Sequence, residues 1–134
     1  MLVVDDERAI REMLCRWLDR WGFEVISAAD AHQALQSLRD FPVHVLVTGI
    51  RMPEHDGLWL IAQVRALWPC TQIIVVSGVL DEEQMTRAQS LGAVDYIAKP
   101  CGRDVLREAL DRAESRLTPN RIGTPKARSP VVEP

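Results

Sequence analysis

No apolar run in this chain approaches the roughly twenty residues that a membrane-crossing helix needs. That excludes a transmembrane span. Cysteine is sparse: Cys15, Cys70 and Cys101 are odd in number and form no CxxC pair. Such a set supports neither a disulfide framework nor a zinc site and predicts reduced thiols. Clustered basic residues are also missing from the body of the chain. The formal charge of −3 includes a balance of +2 between Thr118 and Pro134, which leaves −5 on residues 1 to 117. Nucleic-acid binding depends on grouped Lys and Arg that neutralise phosphates, so an acidic body argues against a direct nucleic-acid partner. The opening "MLVVDDERAI" meets acids where a secretory signal would have its long apolar centre. A cytoplasmic location is expected.

What is present suits one globular domain. With 134 residues, 47% hydrophobic and 26% charged, the chain can bury one core of ordinary size but not two. The segment "TPNRIGTPKARSPVVEP" holds four of the eight prolines and no sustained periodicity. Residues 118–134 therefore read as a disordered Pro-rich tail or linker, and residues 1–117 as the domain.

Within the domain, short β-branched runs alternate with longer segments of helical period, the pattern of βα units around a parallel sheet. The expected strands are "MLVV" (1–4), "FEVIS" (23–27), "VHVLVT" (43–48), "QIIVVS" (72–77) and "VDYIA" (94–98). Ile10, Met13, Leu14, Trp17, Leu18 and Trp21 lay an apolar stripe along a first helix, about Glu7 to Arg20. Ala31, Ala34, Leu35 and Leu38 mark a second helix capped by Asp30. Leu58, Ile61, Val64 and Leu67 mark a third, opening near Asp56 and ending before Pro69. Met85, Ala88 and Leu91 mark a fourth with Asp81 as N-cap and Gly92 as its stop, and Val105, Leu106, Ala109, Leu110 and Ala113 a fifth reaching about Leu117. Buried packing is the expectation for Trp17, Trp21, Trp59 and Trp68, with Trp59 beside rather than in its stripe.

In such a doubly wound sheet, chemistry gathers at the carboxyl ends of the strands. Asp5 and Asp6 follow the first strand, Gly49 the third, Ser77 the fourth, and Lys99 with Pro100 the fifth. "LVVDDE", "RMPEHDGL", "VVSG" and "DYIAKP" in this order resemble the receiver domain of two-component response regulators, the chemotaxis-regulator-like family, over residues 1 to about 117. The resemblance implies an α/β flavodoxin-like fold: a five-stranded parallel sheet of order 2-1-3-4-5 with five helices. It implies phosphoryl transfer from a histidine kinase to an aspartate at the end of the third strand. It further implies an Mg²⁺ held by Asp5, Asp6 and the Arg51 backbone carbonyl, the hard oxygen donors this cation prefers. Ser77 and Lys99 would bind the phosphoryl oxygens, and Tyr96 matches the switch aromatic. The Lys99-Pro100 peptide is commonly cis in the family.

The chain departs from that pattern at one decisive place. The phosphoacceptor position, four residues before Pro53, holds Gly49. Glycine has no side chain to attack phosphorus, so no catalytic residue is expected there and the Mg²⁺ site is weakened. No cofactor is then required, and Lys99 becomes free to pair with Asp5 or Asp6. Substitute acceptors are poorly aimed: Thr48 should face the other side of its strand, Asp56 opens the third helix, and only Glu54 sits on a loop.

The leading expectation is an atypical receiver in a phosphorelay: not an enzyme, but a protein-interaction module that works without its own phosphorylation. Its partner would be a histidine kinase, a downstream signalling protein or a second copy. The expected surface is the fourth helix, fifth strand and fifth helix, including Gln84, Arg87, Tyr96 and Arg107. Two alternatives are a receiver phosphorylated on a nearby acid and a small phosphatase-like enzyme on the same fold. "VVDDERA" lacks the acid spacing of haloacid-dehalogenase phosphatases, and its acidic loop disfavours a flavin phosphate.

Overall fold

A computed structural model describes residues 1–78 and 81–117. The expected tail, 118–134, lies outside the described residues. Strands β1 (Leu2–Val4), β2 (Ile26–Ala28), β3 (Val45–Thr48), β4 (Gln72–Ser77) and β5 (Asp95–Ala98) alternate with helices α1 (Arg8–Arg20), α2 (Ala31–Asp40), α3 (Gly57–Leu67), α4 (Glu82–Ser90) and α5 (Arg103–Leu117). All the strand pairings are parallel and the sheet order is β2-β1-β3-β4-β5. This is the flavodoxin-like order expected above.

The period-two alternation of the strands splits the core into two layers. Val4, Leu46, Ile73 and Val75 face α2, α3 and α4, where they meet Leu35, Leu58, Ile61 and Ala88. Val3, Val47, Ile74 and Val76 face α1 and α5, where they meet Leu14, Leu18, Leu106 and Leu110. Strands buried on both faces need apolar residues at every position, which is why β4 reads as a continuous run.

The helix starts follow side-chain chemistry. Asp30, Asp56 and Asp81 each accept a backbone N–H, from Gln33, Trp59 and Glu83 respectively, satisfying donors that a helix N-terminus leaves orphaned. Gly92 ends α4 with φ of +99°, the left-handed region that glycine enters without strain.

Three expectations need correction. The second strand is not 23–27 but Ile26–Ala28. Phe23 and Val25 pack against the α1/α5 layer from outside the ladder, so β-prone composition there reflects burial rather than pairing. In the first helix only Leu14 and Leu18 are fully buried, while Ile10, Met13, Trp17 and Trp21 pack partly against that layer. Val105, placed in the α5 stripe from its spacing, is exposed; Leu106, Ala109, Leu110 and Ala113 carry the burial.

Candidate functional site

The carboxyl edge of the sheet is held together by backbone bonds that continue past the strand ends. The Asp5 N–H donates to Ala28 O at 3.2 Å, the Gly49 N–H to Val4 O at 2.9 Å, and the Lys99 N–H to Ser77 O at 2.9 Å. These bonds align the loops after β1, β3 and β5 around a cavity of about 410 Å³. Asp6, Glu7, Gly49, Ile50, Arg51, Ser77, Gly78 and Lys99 line it. The Lys99-Pro100 peptide is cis.

Asp5 is the buried member, only 2% exposed. Its Oδ1 accepts the Glu7 N–H at 2.9 Å, and its backbone carbonyl accepts from Arg11 Nη1 at 2.7 Å. Its Oδ2 lies 3.1 Å from Lys99 Nζ, an ion pair without hydrogen-bond alignment, so charge alone compensates this oxygen. Lys99 Nζ makes its short bond to Glu7 Oε1, at 2.6 Å. Burial of Lys99 lowers its pKa, but the bond to Glu7 and the ion pairing with Asp5 outweigh it, so the ammonium is held above its ordinary 10.5. Glu7 was missed as a site residue. Its signal lay in an acid at the N-cap of α1, a position that favours shorter side chains. There the Glu7 side chain makes no capping bond; it reaches Lys99 instead.

Gly49 is the silent centre. A β-carbon built on it would stand 3.4 Å from Asp5 Oδ2 and 3.6 Å from Val76 O, ordinary contact distances. There is room for a side chain that the sequence does not supply. Gly57 differs: a β-carbon there would come within 2.0 Å of Gly49 O. The start of α3 thus closes on the backbone at 49 and 50, helped by a Gly57 N–H bond to Ile50 O at 2.6 Å. Only glycine permits that approach.

Neighbouring side chains that could replace an aspartate at 49 are engaged elsewhere. Thr48 is fully buried and donates its hydroxyl to Gly49 O at 2.9 Å. Asp56 caps α3. Glu54 sits at φ of +66° with its side chain 74% exposed, and its Oε1 lies 3.4 Å from His32 Nε2. Beside it His55 stacks on Trp59, with ring centroids 3.9 Å apart. Neither Glu54 nor Asp56 lines the cavity.

The family's Mg²⁺ would take Asp5, Asp6 and the carbonyl of Arg51. Of these, Asp6 and Arg51 line the cavity and Asp5 backs it. Two observations speak against a fit. The buried oxygen Oδ2 of Asp5 already faces an ammonium, and Gly49 adds no carboxylate. Among the described residues no group of three His, Cys, Asp or Glu is placed to hold a metal ion. This donor set does not fit Mg²⁺.

On the expected interaction surface, Tyr96 is partly buried against the α2/α3/α4 layer, and its N–H bonds Asp95 Oδ1 at 3.2 Å. Arg87 is exposed on α4. Gln84 is partly buried, and among the described residues its Oε1 has no hydrogen-bond partner. Arg107 points elsewhere. Its guanidinium lies 5.4 Å from the Trp21 ring centroid and 5.7 Å from that of Phe23, toward α1 and the β2 approach. The α5 arginine beside β5 is Arg112, which pairs with Asp95; its role was not read from the sequence.

Comparison with known proteins agrees with this geometry. The family model described as "Response regulator receiver domain" matches residues 1–111. The transcriptional regulatory protein ZraR of Salmonella typhimurium is 33% identical over 113 residues, covering 84% of this chain and 26% of that protein. The protein-glutamate methylesterase/protein-glutamine glutaminase 2 of Caulobacter vibrioides is 37% identical over 118 residues, covering 82% and 34% respectively. The chain thus spans about a quarter to a third of these relatives. Among solved structures, a response regulator receiver protein from Pseudomonas putida superposes with a TM-score of 0.79 at 34% identity, over 83% of this chain and 93% of that one. A CheY-like receiver domain protein from Methanospirillum hungatei gives 0.81 at 28%, over 86% and 93%. With matched sequence, strand order and loop placement, the chain belongs to the response regulator receiver domain family of two-component systems.

Proposed function

We propose that this chain is a receiver domain that signals by protein interaction without being phosphorylated itself. The observation that carries the reading is Gly49 at the acceptor position, with nearby acids turned to other tasks: Asp56 to the α3 cap, Glu54 to His32, and Asp5 and Glu7 to Lys99. A receiver needs a nucleophilic carboxylate free at the acceptor position, and one committed to a cap or to an ion pair does not serve.

The domain has no catalytic role of its own. Its partner is a signalling protein, a histidine kinase or downstream effector, or a second copy, met through the surface of α4, β5 and α5 around Arg87 and Tyr96. No Mg²⁺ is required. The domain works in the cytoplasm; among the described residues no helix is long and apolar enough to cross a membrane.

Incubation with acetyl phosphate and MgCl₂, followed by intact mass measurement, tests the reading. No added phosphoryl mass is expected. An adduct of one phosphoryl mass on the wild type that is lost on treatment with hydroxylamine or alkali, as an acyl phosphate is, would overturn it and send the search to Glu54 and Asp56.

A further inference from the structure

Four side chains at and behind the cavity wall form an arrangement that the loss of an acceptor alone does not require. Asp5, Asp6 and Glu7 put three carboxylates on one short loop, and Lys99 brings the positive charge that meets two of them. Its ammonium side chain is 18% exposed and spans the gap between the loops after β1 and β5. Glu7 gives up a capping role to meet it.

We propose that the Lys99 ammonium is the resident cation of this site, clamped by Asp5 and Glu7 in place of the divalent ion that the donor set does not fit. The proposal deepens the acceptor-less reading and rests on it. A buried carboxylate needs a compensating positive charge, and Asp5 is almost wholly buried. Either a metal ion or an ammonium can supply that charge at Oδ2. With no carboxylate at position 49 to lie between them, the two would share one oxygen at close range, and like charges so placed repel. Lys99 is covalently attached, so its local concentration far exceeds that of a free ion. The built-in cation therefore wins, and the site does not respond to Mg²⁺. Glu7 is a positioning residue here: its 2.6 Å bond fixes the ammonium over Asp5.

Manganese binding to the full chain, followed by calorimetry and by the loss of the free Mn²⁺ paramagnetic signal, tests this. The wild type is expected to show no saturable site at low millimolar Mn²⁺ or Mg²⁺. Lys99→Ala leaves the carboxylates uncompensated and is expected to bind Mn²⁺ at least about tenfold more tightly than wild type. Lys99→Met, which keeps the apolar stem, should do the same and guards against an unfolded Ala variant. Lys99→Arg retains the charge and should stay silent, while adding Asp5→Asn to Lys99→Ala should abolish the gained site. Wild type binding Mn²⁺ as tightly as Lys99→Ala overturns the proposal, as does failure of both folded Lys99→Ala and Lys99→Met to gain a site. A phosphoryl adduct on wild type would instead strike the acceptor-less reading, so the two failures are told apart by different measurements.

Discussion

Lys99 Nζ and Glu7 Oε1 lie 2.6 Å apart although 92 positions separate them in the chain. The contact joins the first βα loop to the last, across the cavity where Gly49 leaves space. Its energetic worth is modest where Glu7 faces solvent, since its side chain is 61% exposed and water screens the pair. The buried half, Lys99 with Asp5, matters more. Removing the lysine strands a desolvated carboxylate.

Gly49→Asp should restore an acceptor. The β-carbon of the new residue meets only ordinary contacts, so the fold has no steric reason to resist it. The added carboxylate beside Asp5 should lower stability without metal by roughly 1 kcal/mol through like-charge repulsion, and Mg²⁺ should restore it. Acetyl phosphate should then give an adduct of one phosphoryl mass, detected by intact mass and removed by hydroxylamine. Absence of that adduct in a folded variant would show that Asp6, Ser77 and Lys99 no longer hold a competent geometry.

Gly57→Ala should be far more damaging than its size suggests. A methyl group there would come 2.0 Å from the Gly49 carbonyl oxygen and 2.9 Å from the Gly49 carbonyl carbon, both backbone atoms that cannot step aside. The start of α3 must move, with an expected loss of about 3 kcal/mol or more. Chemical denaturation gives the number. A loss below about 1 kcal/mol would mean that the loop from 49 to 57 adapts freely.

Asp30→Ala should cost about 1 kcal/mol, because Asp30 Oδ1 accepts the Gln33 N–H at 2.8 Å and alanine leaves that donor unpaired. Asp30→Ser, which keeps an acceptor, should recover most of it. Equal losses for the two variants would show that charge, not capping, is at work.

Much of this was legible in the sequence, for identifiable reasons. Helix caps depend on a residue and its next three neighbours, so Asp30, Asp56 and Asp81 announced themselves. The central strands carry burial on both faces, and Val45–Thr48 and Gln72–Ser77 read as apolar runs. The edge strand was harder: Phe23 and Val25 have strand-like composition, yet their burial comes from helix contacts. The direction of Arg107 toward Trp21 and Phe23, and the reach of Glu7 to Lys99, arise only when distant segments meet. Local pattern holds no information about such pairs.

Alkaline pH should weaken the fold through Cys101. Burial alone pushes this thiol above its ordinary 9.0, so the folded state holds its proton where the unfolded chain has released it. Stability from this group is complete below pH 9 and declines as pH climbs from there through the folded-state value. Thermal melts from pH 8 to 10.5 should fall more steeply for wild type than for Cys101→Ala. Parallel curves would assign the alkaline loss to other groups.

The interaction surface offers the most direct test of how the domain signals. A receiver changes output when something favours one of two arrangements of its α4, β5 and α5 surface, and a ligand shifts that balance only by its difference in affinity for the two. On the proposed reading, with Gly49 at the acceptor position, a phosphodonor has no such leverage, so partner binding or self-association should be the same with and without acetyl phosphate. Tyr96 packs on the α2/α3/α4 layer and Arg87 is exposed on α4, so the two report on different parts of the surface. Tyr96→Ala should alter the balance from within, and Arg87→Glu should change contact from outside. Sedimentation and pull-down of a co-encoded histidine kinase or effector measure both, and each substitution is expected to weaken binding at least about fivefold, a typical size for coupling between sites. Arg107→Glu, on the α1 side of α5, serves as the control and should leave binding within about twofold of wild type, the scale of an uncoupled surface change. Binding that rises on adding phosphodonor, or that ignores both Tyr96→Ala and Arg87→Glu, would rule out constitutive interaction through this surface.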